Sequence, residues 1–125
     1  MDGSLATAEP VAGQRFPRSL RLLAGKDFQH VFARAKRIPG SRLMLLYRAQ
    51  QPAAAHARIG LAISRKHARR AVDRNRVKRA AREAFRMRRA SLPPVDIIVL
   101  SRAGVAELDA RQVRAELDRL LEKVK

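Results

Sequence analysis

The sequence predicts a single compact α+β domain whose elements follow in the order helix, strands, helix, strand, helix. Its length of 125 residues fits one domain, and a hydrophobic share of 46% is ordinary for a folded chain. Apolar residues recur at helical spacing in some segments and form short continuous runs in others. These observations indicate helices and strands that share one core.

The N-terminal part of the chain combines an irregular stretch with a first helix. Residues 1–14 are rich in Ala, Gly and Pro, which predicts a flexible extension ahead of a domain at 15–125. They lack the basic start and the apolar run of a secretory signal. Within 26–35, apolar side chains at i, i+3, i+4 and i+7 predict a short amphipathic helix, which the Ile-Pro-Gly step at 38–40 is expected to end. These apolar residues are Phe28, Val31, Phe32 and Ala35.

Three apolar runs are typical of strands. Residues 42–48 and 58–64 predict two antiparallel strands joined by a loop, and Gly60 within the second indicates a bulge or a close backbone approach. Val95–Ser101 follows two prolines and carries one charge, Asp96. This third run therefore predicts a buried strand.

Two further helices are predicted from periodicity and capping. Residues 73–89 form the longer one. Asp109 is expected to begin the last helix, because its carboxylate can accept a hydrogen bond from a first-turn amide and Gln112 occupies the partner position of a capping box. The apolar stripe of the last helix is Val113, Leu117, Leu120, Leu121 and Val124.

The charge balance points to a polyanionic partner. Lys and Arg total 28 against 11 acids, a net charge of +17, which suits either nucleic acid or an anionic membrane surface. Most of the cations are Arg, whose planar guanidinium grips phosphate through two hydrogen bonds, so nucleic acid is favoured. The absence of cysteine excludes disulfides and thiolate metal sites and fits a reducing cytoplasm. No apolar stretch is long enough to span a bilayer.

The cations concentrate between residues 65 and 89, where twelve Lys or Arg accompany two acids. On a wheel of about 100° per residue, the apolar residues of this helix gather on one side and its cations largely on another. An ordinary solvated face mixes signs because like charges at i, i+4 cost a few tenths of a kcal/mol, so a surface that binds nucleic acid is favoured over that alternative. The apolar side comprises Val77, Ala80, Ala81, Ala84 and Phe85. The candidate nucleic-acid-binding residues are Arg65, Lys66, Arg69, Arg70, Arg74, Asn75, Arg76, Lys78, Arg79, Arg82 and Arg86.

Three segments of the chain resemble the bacterial ribonuclease P protein family. The Arg-Asn-Arg-Val-Lys-Arg run at 74–79, followed by Arg-Glu-Ala-Phe-Arg at 82–86, is similar to the RNR signature of that family. The Arg-Ile-Gly-Leu-Ala-Ile-Ser-Arg-Lys run at 58–66 resembles the strand before the signature, and residues 15–28 resemble the N-terminal region. The RNR motif alone is weak, but its spacing from the other two segments is specific. Arg69 and Arg70 stand where many members carry a Gly-Asn step.

The resemblance implies a non-catalytic subunit of an RNA enzyme. In the family, the RNA subunit uses metal-activated water to hydrolyse a phosphodiester of precursor tRNA, and the protein binds the catalytic RNA and the 5′ leader. The resemblance further implies Mg²⁺ in the holoenzyme, bound mainly by RNA, and no membrane or DNA partner. It implies a fold like domain 2 of ribosomal protein S5, with the rare left-handed βαβ crossover. Asn75 would offer a donor and an acceptor to RNA, or would bond the backbone at the helix start.

A second surface implied by the resemblance is a cleft between the first helix and the sheet, where the family holds the single-stranded leader. Phe28, Phe32 and Tyr47 match positions that line this cleft. Stacking on an aromatic side chain contributes about 1–3 kcal/mol per base and tolerates any sequence. Periodicity alone predicts that Phe28 and Phe32 are core residues, whereas the resemblance favours partial exposure in a groove.

Catalysis by the polypeptide itself is not predicted. His30, His56 and His67 are scattered, and the acids show no metal-ligand spacing. A structural role is favoured for Asp96 over holding a hydrated Mg²⁺. Two other hypotheses remain: a structural or assembly RNA-binding protein of the ribosomal type, and a DNA-binding regulator, which is disfavoured because no short helix pair precedes residue 73.

Overall fold

The computed structural model describes residues 29, 31–50 and 57–124, and it has the predicted α+β architecture. Gln29 and residues 31–33 are helical. The elements that follow are β1 (Lys36–Pro39), β2 (Leu43–Ala49), β3 (Arg58–Ala62), α1 (Ala71–Arg88), β4 (Val95–Ser101) and α2 (Ala110–Leu121). The predicted extension at 1–14 lies outside the described residues, as do Phe28, His30 and His56.

The four strands form one sheet in the order β1-β2-β4-β3. β2 is antiparallel to both β1 and β4, whereas β3 and β4 are parallel. The predicted strands at 42–48 and 58–64 therefore run in opposite directions but do not pair, because β4 lies between them. Because the two strands follow one another in the sequence, they were expected to pair. Instead, the β3–α1–β4 connection places β4 beside β3, and β2 pairs with the other edge of β4. Gly60 lies opposite Ile98 in a regular register without a bulge.

The strand β1 was not predicted. The helical segment ends at Ala33, before the Ile-Pro-Gly step that was expected to end it, and Ile38 and Pro39 instead belong to the edge strand Lys36–Pro39, which pairs with β2. A tight turn joins the two strands, and the Gly40 N–H donates to the Leu43 carbonyl at 2.9 Å. A Cβ on Gly40 would lie 2.6 Å from that oxygen and 2.7 Å from Glu116 Oε2. Close approach therefore requires glycine at this turn.

Helices α1 and α2 cover one face of the sheet and enclose the larger core. The predicted apolar side of α1 is buried as expected, and its three alanines allow close packing. The capping box at the start of α2 is confirmed: the Gln112 N–H donates to Asp109 Oδ1 at 2.8 Å, and the Asp109 N–H donates to Gln112 Oε1 at 2.9 Å. The predicted stripe of α2 is buried in the same core.

The opposite face of the sheet carries a smaller cluster centred on Val31, Leu46 and Ile98. Val31 belongs to the helical segment before β1, so this segment packs on the face that α1 and α2 leave open. The β3–α1–β4 unit joins two adjacent parallel strands, as the resemblance implies. The handedness of its crossover stays a prediction.

Candidate nucleic-acid interface

The loop between β3 and α1 is held by hydrogen bonds that leave its cations exposed. The Ser64 N–H donates to Ser101 Oγ at 2.8 Å, and His67 Nδ1 lies 2.9 Å from the same oxygen. The Lys66 N–H donates to Ser64 Oγ at 2.9 Å. These bonds tie the loop to the end of β4. The exposed cations are Arg65, Lys66, Arg69 and Arg70.

Arg74, the first arginine of the RNR motif, closes this loop onto α1. Its Nη1 donates to the carbonyls of Ala68 and Arg69 at 3.0 and 2.8 Å. Arg74 is half-buried, whereas its neighbour Asn75 is exposed. Arg74 therefore fixes the position from which the loop cations project.

Arg76, the second arginine of the motif, is bonded inside the fold. Its Nε and Nη2 donate to the carbonyls of Leu108 and Ala106 at 3.1 and 2.8 Å, and its Nη1 donates to Asp73 Oδ1 at 2.8 Å. The hydrogen bond from Arg76 and the charge of Arg70 hold the pKa of Asp73 below its ordinary value. Arg76 thus joins the first turn of α1 to the segment that leads into α2.

Further along α1, Arg79 and Arg86 are exposed. Arg86 Nη2 lies 2.7 Å from both carboxylate oxygens of Glu83, and this hydrogen bonding raises the pKa of Arg86. Arg79 has no ion pair or hydrogen bond to another side chain in the part of the chain that the structure describes. Among the cations of α1, Arg79 therefore presents its charge most directly to a ligand.

Lys78 and Arg82 do not lie on the exposed face, and their predicted placement there is wrong. Their exposed fractions are 7% and 5%, and each has an interaction partner. At about 100° per residue both positions lie beside Phe85, at the border of the apolar stripe. The buried arc of α1 is wider than its apolar residues indicate, and long side chains can bury their stems at such a border.

The structure separates Phe32 and Tyr47, two of the aromatic residues that were expected to line one cleft. Phe32 is 50% exposed, so the core interpretation is wrong for it. Tyr47 is 7% exposed and belongs to the larger core on the helix-covered face, with Lys36 Nζ 5.9 Å from its ring centroid. Because side chains alternate along a strand, Leu46 is the β2 residue that faces the Val31 segment. Tyr47 therefore does not line a cleft with Phe32.

Sequence reasoning missed a polar network around Asp96. The Arg58 Nε and Nη2 donate to the two oxygens of Asp96 at 2.9 and 2.8 Å, and Gln50 Nε2 donates to Oδ1 at 2.8 Å. The three residues meet because Arg58 lies opposite Asp96 in the β3–β4 register. This pairing could have been found only with the strand order in hand, and it gives Asp96 the structural role that the sequence favoured.

The described carboxylates do not fit a Mg²⁺ site. Asp73, Glu83, Asp96 and Asp118 are each paired with an arginine. Residues 29, 31–50 and 57–124 contain no cluster of three or more His, Cys, Asp or Glu side chains that could bind a metal. Within the same ranges, no helix is long and apolar enough to cross a membrane.

Comparison with known proteins agrees with this architecture. A family model described as Ribonuclease P matches residues 16–125. The ribonuclease P protein components of Photorhabdus laumondii and Chromohalobacter salexigens are each 47% identical to the chain. The matches cover 84% and 86% of this chain and 87% and 83% of those proteins.

Solved structures of RNase P proteins superpose well on this chain. The RNase P protein of Staphylococcus aureus has a TM-score of 0.76 at 26% identity and covers 82% of this chain and 93% of its own. The RNase P protein of Thermotoga maritima has a TM-score of 0.72 at 30% identity, with coverage of 84% and 97%. Sequence and fold thus agree over most of the chain, which belongs to the ribonuclease P protein family.

Proposed function

We propose that this chain is the protein subunit of ribonuclease P, which binds the catalytic RNA and the 5′ leader of precursor tRNA and promotes endonucleolytic removal of the leader. One observation carries the proposal in this family member: the loop before α1 and one side of α1 both expose cationic side chains. We call these exposed residues together the loop–helix surface. It comprises Arg65, Lys66, Arg69, Arg70, Asn75, Arg79 and Arg86.

The physical role of the loop–helix surface is to reduce repulsion between RNA phosphates. Guanidinium groups bond phosphate oxygens in a fixed geometry, and each neutralised phosphate releases counterions. Arg74 and Arg76 support this surface from inside, because their donors are bonded to backbone carbonyls of the fold. Asn75, uncharged and exposed among these cations, can offer a donor and an acceptor to an RNA edge.

The leader is proposed to contact the other face of the sheet. Phe32 is half-exposed, and it follows Val31, which packs with Leu46 and Ile98 on that face. An exposed aromatic ring can stack on bases of any sequence, which suits a protein that meets many leaders. Phe28 lies outside the described residues and stays part of this proposal through the family resemblance.

Hydrolysis is assigned to the RNA subunit. The described carboxylates are paired with cations or backbone donors, so the polypeptide offers no evident metal-binding acid cluster among them. Mg²⁺ is proposed as a requirement of the holoenzyme that RNA satisfies. The cytoplasm is proposed as the compartment, because precursor tRNA is processed there in bacteria and the chain has no cysteine.

A reconstitution assay tests this function. The purified chain alone should not cleave precursor tRNA, and it should restore cleavage when added to the cognate catalytic RNA at low Mg²⁺. Failure to raise either the cleavage rate or the substrate affinity would contradict the proposal. Preferential recovery of ribosomal RNA with the chain would support the ribosomal-type alternative instead.

A further inference from the structure

A groove of about 970 Å³ lies between α1 and the beginning of α2. Its wall on α1 runs from Val72 past Ala80 to Met87, and α2 contributes Ala110 and Arg114. The two alanines keep the space between the helices open, because neither side chain reaches across it. This volume is within the range of about 300–1,000 Å³ that is typical of ligand sites.

The groove exposes apolar surface. Val72 is 59% exposed and Met87 is 74% exposed, and with Phe32 they are the large hydrophobic residues exposed in the described part of the chain. The two residues are 15 positions apart on α1, about 22 Å at 1.5 Å per residue, so each is an apolar contact point at one end of the groove. A flexible, polarisable methionine can pack against the flat face of a base.

The charge of the groove is positive. Arg79 and Arg114 line it, and neither forms an ion pair with another of the described residues. Glu83 also lines the groove, but Arg86 holds its carboxylate. The remaining charge suits phosphate, while the net charge of +17 opposes a second copy of this chain as the occupant.

We propose that this groove seats a short unpaired stretch of the catalytic RNA, with one base against Met87 and neighbouring phosphates on Arg79 and Arg114. This inference rests on the proposed function and adds a site on α2. Arg79 joins the groove to the loop–helix surface. The leader is excluded as the occupant because Phe32 belongs to the segment that packs on the opposite face of the sheet.

The absence of cysteine makes the site directly testable by cross-linking. Met87→Cys introduces a single thiol at the groove, and Ala115→Cys introduces one at an exposed position of α2 that does not line it. Each variant is labelled with a photoreactive group, assembled with catalytic RNA and precursor tRNA, and irradiated. We expect the label on Met87→Cys to cross-link to nucleotides of the catalytic RNA, and the label on Ala115→Cys to do so much less.

Two variants that each remove one positive charge complete the test. Arg114→Ala should weaken binding of the catalytic RNA and lower the log–log salt slope by about 0.7–0.9, whereas Arg111→Ala, exposed on the same helix and outside the groove, should leave the slope unchanged. Cross-linking of Met87→Cys to precursor tRNA, or to neither RNA in a holoenzyme that cleaves normally, would overturn the groove assignment and leave the proposed function intact. Failure of the wild-type chain to stimulate cleavage would overturn both.

Discussion

Two arginines of α1, separated by three positions, have opposite surroundings. Arg76 donates hydrogen bonds to Ala106, Leu108 and Asp73, whereas Arg79 is exposed without such a partner among the described side chains. Arg76 therefore stabilises the fold, whereas Arg79 is available to bind RNA. Sequence alone does not separate them, because both belong to the same motif-bearing helix.

Arg76→Ala should lower the free energy of unfolding by about 1–3 kcal/mol, because it leaves backbone carbonyls and Asp73 without a charged donor. Arg79→Ala should leave stability unchanged and lower the salt slope of RNA binding by about 1. Chemical denaturation and filter binding at several salt concentrations measure the two quantities. The reverse pattern, with Arg79→Ala destabilising and Arg76→Ala flattening the salt dependence, would refute this division.

Phe32→Ala should reduce affinity for precursor tRNA with a leader by about 5- to 150-fold, the equivalent of one stacked base. Its half-exposed ring contributes little to the core, so the unfolding midpoint should change little. Mature tRNA without a leader is the matched control and should bind wild type and variant equally. Equal weakening for both RNAs, or a large loss of stability, would place Phe32 in another role.

At the scale of elements, α2 is attached to the β1–β2 turn through Glu116. Its Oε2 accepts the backbone N–H groups of Arg42 and Leu43 at 2.8 Å each, and its Oε1 accepts from Ser41 Oγ at 2.9 Å. This carboxylate is buried. One side chain of the last helix therefore holds the turn that orders the first strand pair.

Glu116→Ala should lower the free energy of unfolding by about 2–4 kcal/mol, because it leaves buried backbone donors unsatisfied. Glu107→Ala is the matched control, since that side chain is exposed and forms only a surface ion pair with Arg42; it should cost less than about 1 kcal/mol. Thermal or urea denaturation provides the comparison. Similar losses of unfolding free energy in both variants would show that the hydrogen bonds accepted by Glu116 stabilise the fold no more than the surface ion pair of Glu107.

The C-terminal end of α1 is joined to α2 by an ion-pair cluster. Arg88 donates through Nε and Nη2 to Asp118 and through Nη2 to Glu122. The hydrogen bond from Arg88 holds the pKa of Asp118 below its ordinary value of about 3.9. Because the folded-state pKa is depressed, the stabilisation is complete above the unfolded pKa and is lost as pH falls through the folded one.

The stability of the wild-type protein should therefore decline as pH falls below about 4. Asp118→Asn should be less stable than wild type at pH 6 and should lose less stability between pH 6 and pH 3. Urea titrations across this range measure both slopes. Parallel curves for the two proteins would mean that Asp118 titrates alike in the folded and unfolded states.

The elements that the sequence predicted well are those that local chemistry specifies. β4 was predicted with its observed bounds because Val95–Ser101 is mostly apolar and has one charge, and α2 was predicted because Asp109 and Gln112 form a local capping box. β1 was missed because Ile38 is its only buried residue and its extended state depends on pairing with β2. Pairing partners are a tertiary property that a four-residue pattern does not contain.

For the residues of α1, the sequence predicted exposure correctly only where helical spacing places a side chain well away from the buried face. Asn75, Arg79 and Arg86 are exposed as expected, whereas Lys78 and Arg82 are buried because the packed arc of α1 extends beyond its apolar residues. Tyr47 was expected in the cleft from the family resemblance, but it is buried in the core on the helix-covered face, and strand alternation alone does not say which face the helices cover. For Lys78 and Arg82 the error arises at the border between the buried and exposed faces of α1, where a shift of one position changes a side chain from exposed to buried.

At the scale of the whole molecule, the sheet separates two surfaces with different proposed partners. The helices α1 and α2, with the loop–helix surface, lie on one face, and the segment that contains Phe32 packs on the other. A net charge of +17 favours binding of the chain to RNA. This arrangement would allow the chain to contact the catalytic RNA and the leader at the same time.

The central claim is that the loop–helix surface binds phosphates of the catalytic RNA. The decisive measurement is the salt dependence of that binding for two triple variants. The first combines Arg65→Ala, Arg69→Ala and Arg79→Ala; the second combines Arg111→Ala and Arg119→Ala, exposed on α2, with Lys123→Ala, exposed in the turn after it. Both remove three positive charges. The first should lower the log–log slope by about 2–3 and the second should change it little, at 0.7–0.9 per lost phosphate contact. Equal slopes in the two variants, or a larger loss in the second, would contradict the account.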